Sequence, residues 1–358
     1  MAFLLALICA AVIGFAAHRA SLCHVRAVSE AMTSGTTHML TSLTHAALWA
    51  TLVGGVIGVV GARPPSQVWL ASTAVWALLG GWLFGIGAAL NGGCSLSTLH
   101  RLIDGELGML ATLLGFALGV VLSAVAVTGF VAPGPAVLVP VESVWHRWPG
   151  LAPWLLALLV LWSLVRLSGL VRLARTSAGT SVRQRLLAHQ YPLGVSAALM
   201  GVAGALLYTT QGAWSYTNHI RASVLHVWAG GPGVAAAHSA LVAALLVGMT
   251  ASALHRASIA WRRPRSSATW LRHATGGLLM GAGAAMVPGG NDTLLLNALP
   301  TLAIPAVIAY LAMLLGIASV LWLMQRYSVP MATTHCTEAG CSDTPPPLAH
   351  HARQETHR

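Results

Sequence analysis

Nine stretches of mainly apolar residues, at 1–17, 37–61, 66–90, 107–132, 151–170, 192–212, 233–254, 268–287 and 301–324, divide the chain. Each is close to the roughly 20 residues that a helix needs to cross a bilayer. Of the 358 residues, 56% are apolar and only 8% are charged, where a soluble protein carries about 25% charged residues. Too little polar surface remains to cover a water-soluble globule. The fold expected is therefore all-α and polytopic, with about nine transmembrane helices in the lipid bilayer. Stretch 1–17 has no basic residues before it and Arg19 after it, so it reads as a retained first helix and not a signal peptide. Stretch 268–287 is weakened by Arg272 and His273. Residues 328–358 are polar, with prolines at 345–347, and read as a disordered cytoplasmic tail.

The net charge of +11 comes from 19 basic residues, all arginine, against 8 acidic ones. These arginines sit in short loops between apolar runs, which points to membrane topology and away from nucleic acid. Setting aside Arg19, Arg26, Arg101 and Arg221 inside motifs and the two in the tail, eleven of the remaining thirteen fall on one side of a nine-span arrangement. Only Arg63 and Arg147 fall opposite. That assigns the richer side to the cytoplasm, with the N-terminus outside and the C-terminus inside. Five cysteines form neither a disulfide framework nor a zinc pattern, and the reading calls for no metal and no other cofactor. Without a G-x4-G-K-[ST] stretch, nucleotide-driven pumping is not expected.

An internal repeat is visible. Gly80-Gly81-x3-Gly85-x-Gly87-Ala88-Ala89-Leu90 recurs as Gly276-Gly277-x3-Gly281-x-Gly283-Ala284-Ala285-Met286, each followed by Gly-Gly. Arg19-Ala20-Ser21-Leu22-Cys23-His24-Val25 is answered by Arg221-Ala222-Ser223-Val224-Leu225-His226-Val227. The halves, 1–132 and 192–327, are joined by a linking span within 133–191. An odd number of spans between equivalent positions makes the repeats inverted, and such pairs with broken, re-entrant helices frame the central sites of many transporters.

Asn91-Gly92-Gly93-Cys94-Ser95-Leu96-Ser97-Thr98 is the most informative stretch. Two glycines stop a helix, and another begins near Cys94. Non-helical backbone at membrane depth belongs beside a cavity or buried in protein. A helix starting there turns free N–H groups and partial positive charge toward an anion, and a thiol at that end favours thiolate. Cys23 has Arg19, His24 and Arg26 as neighbours, a second group suited to oxyanions. In the second half Pro288-Gly289-Gly290-Asn291-Asp292-Thr293 repeats the break. Asn291 stands where Cys94 stood, and Leu225 replaces Cys23. Asn291 and Thr293 can donate to an anion or cap a helix, and Asp292 reads first as a helix-start cap.

With these motifs and Gly289-Gly290-Asn291-Asp292-Thr293-Leu294-Leu295-Leu296, residues 1–327 resemble the YeeE/YedE family of bacterial inner-membrane sulfur transport proteins. The resemblance implies a nine-span hourglass and cysteines passing thiosulfate along a narrow path by S–H···S contacts. It further implies delivery to a small TusA-type cytoplasmic sulfur carrier. It makes Cys23 and Cys94 path thiols. The importers of this family carry a further cysteine in the second half, where this chain has Asn291. The expected function is uptake of a sulfur-containing anion and not enzymatic. A membrane scaffold or sensor docking a sulfur carrier, and a thiol oxidoreductase using Cys23 and Cys94, are the alternatives.

Overall fold

The computed structural model describes residues 1–59, 67–130, 138–142, 148, 150–176, 188–230, 233–287, 289–328, 333–338 and 340–344. Its first half runs α1 (Ala2–Ala20), α2 (His24–Thr33), α3 (His38–Val59), β1 (Gln67–Ala71), α4 (Ala74–Asn91), α5 (Ser95–Ile103) and α6 (Gly108–Phe130). After β2 (Leu138–Glu142) and α7 (Ala152–Thr176) come α8 (Leu193–Gln211), α9 (Tyr216–Ala229), α10 (Ala236–Arg256) and α11 (Ser267–Met286). A broken segment follows: an α turn at Asn291–Thr293, a π turn at Leu294–Ala298 and a 3-10 turn at Leu299–Thr301. The long α12 (Ile304–Arg326) closes the helical part.

Among the described residues, eight helices are long and apolar enough to cross a membrane, and the molecule is an all-α polytopic membrane protein. The expected span at 268–287 folds as α11 but is not one of the eight. The polar residues Thr269, Arg272, His273 and Thr275 dilute its apolar character. Stretch 66–90 does not form a single helix either. Its start is strand β1, paired antiparallel with β2 so that Gln67 faces Glu142 and Ala71 faces Leu138.

Glycines set how closely the helices approach. A Cβ on Gly80 would meet the Gly283 carbonyl at 3.1 Å, and one on Gly283 would meet the Gly80 carbonyl at 2.5 Å. Seven residues on, Gly87 and Gly276 stand in the same reciprocal relation, at 2.5 and 2.8 Å. The repeated motif of α4 thus packs antiparallel on its own copy in α11. The other glycines of each motif receive the next helix. A Cβ on Gly81 or Gly85 would collide with the carbonyl oxygen of Ala309 or Met313 in α12. One on Gly277 or Gly281 would collide with that of Thr112 or Phe116 in α6. Small residues allow backbones this close where the solvent is lipid and no hydrophobic effect drives helices together.

The tail departs from expectation. Residues Thr333–Thr337 (β3) and Gly340–Thr344 (β4) form a hairpin instead of disordered chain, and Cys336 and Cys341 are disulfide-bonded within it. The hairpin is tied to the helices through the Leu193 N–H, which donates to the Glu338 carbonyl at 3.1 Å. Gln190 Nε2 also donates to the Cys341 carbonyl at 3.0 Å. The expectations placed on Arg63, Arg147 and residues 345–358 lie outside the described residues.

Candidate functional site

Two short helices begin at cysteines. Cys23 is the N-cap of α2 and Cys94 the N-cap of α5, both in extended backbone, and neither caps with its side chain. The break before Cys94 depends on Gly92, which ends α4 in the left-handed region at φ 74°, where any side chain is disfavoured. The two helix starts converge. The Cys94 N–H donates to Cys23 Sγ at 3.5 Å. Each cysteine therefore sits at the start of a helix, where partial positive charge is concentrated. Both are about 1% exposed and unoxidised.

Asn291 joins the second half to this pair. Its Oδ1 accepts from the Ser95 N–H at 3.2 Å and from the Ser95 hydroxyl. A backbone N–H can only donate, so the amide orientation is set and Nδ2 is the group facing His24 Nδ1 at 3.1 Å. His24 Nδ1 must accept, which puts the imidazole proton on Nε2. That Nε2–H is buried and has no partner among the described residues. The Tyr310 hydroxyl, on the ring stacked edge-on against His24 at 5.6 Å, is likewise unpartnered. So is Trp214 Nε1. Buried donors are paired in most proteins, so these three are exceptions to the rule. His24, Trp214, Tyr216 and Asn291 also line a cavity of about 30 Å³, room for about two waters.

Other expected residues lie elsewhere or hold the frame. Asn91 donates to the Gly93 carbonyl at 2.9 Å and to Thr98 Oγ1 at 3.0 Å, and accepts from Thr112 at 2.7 Å. His273 Nδ1 completes its shell at 2.9 Å, so its polar atoms clamp the break. Ser97 packs its hydroxyl where a Cβ of Gly93 would come, at 2.7 Å. Gly289, at φ 95°, turns the second break, and the Gly290 N–H donates to Thr217 Oγ1 at 2.8 Å. The Thr293 hydroxyl pairs with Ser215. Asp292 does cap a helix start, but that of α9: it accepts from Thr217 Oγ1 at 2.5 Å and from the Thr217 N–H at 3.3 Å.

Arg19 turns away from the thiols. Its guanidinium donates to the Ala188 carbonyl at 2.6 Å, contacts His255 at 3.1 Å and lies 4.8 Å over the Phe15 ring. Arg26 is half-buried, with its charge near His100. Beyond the end of α5, Asp104 accepts from Ser258 at 2.5 Å and pairs with His18 at 3.1 Å. Burial pushes the Asp104 carboxyl up, but these hydrogen bonds outweigh it and hold the group below its ordinary value.

Two sequence correspondences are corrected by the caps. Cys23 begins its helix, whereas Leu225 is inside α9, whose N-cap is Ser215. The counterpart of Cys23 is therefore Ser215. The second break has Gly290 as its N-cap, so Gly290 matches Cys94, and Asn291 matches Ser95. The hydrogen-bonded pair Ser95–Asn291 thus joins equivalent positions of the two repeats. Sequence reasoning did not single out Tyr216, Thr217, Trp214 or Tyr310. A tyrosine at mid-length of an apolar span was the available signal for Tyr310.

A family model described as sulphur transport matches residues 19–319 of this chain. No curated protein matches it.

Proposed function

This chain belongs to the sulphur-transport family, YeeE/YedE, and from that premise we propose that it carries a sulfur-containing anion, thiosulfate or a close relative, past Cys23 and Cys94. One observation carries the reading: both thiols rest on the joined N-termini of α2 and α5, with Cys94 N–H on Cys23 Sγ at 3.5 Å. Helix starts attract the negative charge. Polarizable sulfur favours the soft terminal sulfur of such an anion over sulfate, and the orphan donors of His24, Trp214 and Tyr310 suit its oxygens. The path runs from Gly289, Gly290, Asn291 and Thr293 on one side to Gly93, Ser95, Ser97 and Arg26 on the other. Arg19 and Asn91 support it from behind.

We place the two repeats at 1–132 and 192–327, with the N-terminus periplasmic and the arginine-rich loops in the cytoplasm of a bacterial inner membrane. Flow is inward, as facilitated or secondary transport, and a small TusA-type carrier receives the anion on the cytoplasmic side.

The test is growth on thiosulfate as sole sulfur source in an uptake-deficient host, with Cys94→Ala as the variant. Wild-type growth with loss in the variant is expected. Equal growth of both sinks the reading. The thiol contact also favours a second function, a membrane thiol oxidoreductase. A Cys23–Cys94 disulfide or stable persulfide found by mass spectrometry in active protein would favour it over transport.

A further inference from the structure

A second cavity, of about 540 Å³, opens away from the thiols between α3, α7 and the tail hairpin. That is within the size range of ligand sites, about 300–1,000 Å³, and the transport reading gives it no role. Its walls include His38, His45, Trp49, Arg166 and Glu338, with threonine hydroxyls of the α2–α3 turn. Arg166 is the fifteenth residue of the 25-residue α7, whose apolar window is 0% buried, so the cavity faces the place of lipid. Its guanidinium donates to His45 Nδ1 at 2.8 Å. Among the described residues no carboxylate comes within ion-pair distance of it. Arg166 lies four residues from the end of the apolar stretch 151–170, at the level expected of lipid headgroups, and His45, accepting through a ring nitrogen, gives it no counter-ion.

The cavity therefore offers one cation and one carboxylate, Glu338, a bank of hydroxyls, and an apolar shelf of Trp49 and Val165. A phosphate beside an ammonium matches that set. We propose that this crevice binds the headgroup of a zwitterionic aminophospholipid, its phosphate on Arg166 and the hydroxyls, its primary ammonium on Glu338, and its acyl chains along α3 and α7. A choline head has no N–H to donate to Glu338, and a glycerol head has no cation for it. The site lies apart from the transport path and its test is independent of uptake.

The full chain is reconstituted in nanodiscs of phosphatidylcholine alone, or with added phosphatidylethanolamine or phosphatidylglycerol, and retained lipid is counted by native mass spectrometry. Phosphatidylethanolamine should be retained over both others by about fivefold, the discrimination a screened ion pair supports. Glu338→Gln should erase the preference over phosphatidylcholine, and Arg166→Gln should lower retention of all three. Both positions are exposed, and an unchanged melting temperature in phosphatidylcholine checks the fold of each variant. Equal retention of the three lipids, a preference for phosphatidylglycerol, or an undiminished preference in Glu338→Gln overturns the assignment.

Discussion

The backbone N–H of Cys94 points at the sulfur of Cys23 across 71 positions of sequence. Each cysteine is the residue before a helix, so the contact brings two helix N-termini, and their partial positive charge, to one place.

Asn291→Asp keeps the shape of the amide but removes the donor to His24 Nδ1 and adds charge beside the thiols. Uptake of labelled thiosulfate in proteoliposomes should fall about tenfold or more, in line with the loss of one hydrogen bond at a charged site. Asn291→Ser, which can still accept from Ser95, should retain more activity than the aspartate.

Trp214→Phe removes one orphan donor and little volume. If that donor meets the anion in both ground and transition states, KM for uptake should rise about fivefold with kcat nearly unchanged. Initial-rate measurements across substrate concentration check this, and an unaltered KM assigns Trp214 to packing alone.

Gly281→Ala would put a Cβ 2.0 Å from the Phe116 carbonyl oxygen. Forced separation of α6 and α11 should cost about 1–3 kcal/mol, read as a lower melting temperature in detergent. Gly54→Ala, with nothing within 4 Å of the new carbon, should be neutral or stabilising by up to about 1 kcal/mol.

Asp104→Asn removes the hydrogen-bonded pairing with His18 and leaves the Ser258 hydroxyl a neutral acceptor. The folded Asp104 carboxyl lies below its ordinary value. Its contribution is therefore full above the unfolded value of about 4 and is lost as pH falls through the folded one. The gap in melting temperature between wild type and variant should be constant from neutral pH to about 5 and should close below about 4. A gap that widens on acidification would contradict the sign.

Legibility in the sequence followed the range of the forces involved. The glycine motifs of α4 and α11 were readable because close packing in lipid needs small residues at fixed helical spacing, and that spacing is local. The break at Gly92-Gly93 was readable because the left-handed region at Gly92 is a property of one residue. The equivalence of Cys23 with Ser215 was not. Similar letters around Arg19 and Arg221 suggested Leu225, yet the helix start is decided by where α8 ends and the chain turns at Gly212. The tail looked polar and disordered because its order comes from pairing with its own second strand and from residues 190 and 193, far away in sequence.

Composition and periodicity by themselves determined that this chain lies in a membrane as helices, that its glycine motif repeats, and that one of its helices stops at a glycine pair. Those properties depend on transfer free energy and local backbone freedom, which each segment carries alone. Only the tertiary structure decided that Cys23 and Cys94 touch, that Asn291 reaches Ser95 and His24, and that Arg19 turns to Ala188 and His255. Such contacts arise where separate helices converge, and no single segment encodes which neighbour it will meet.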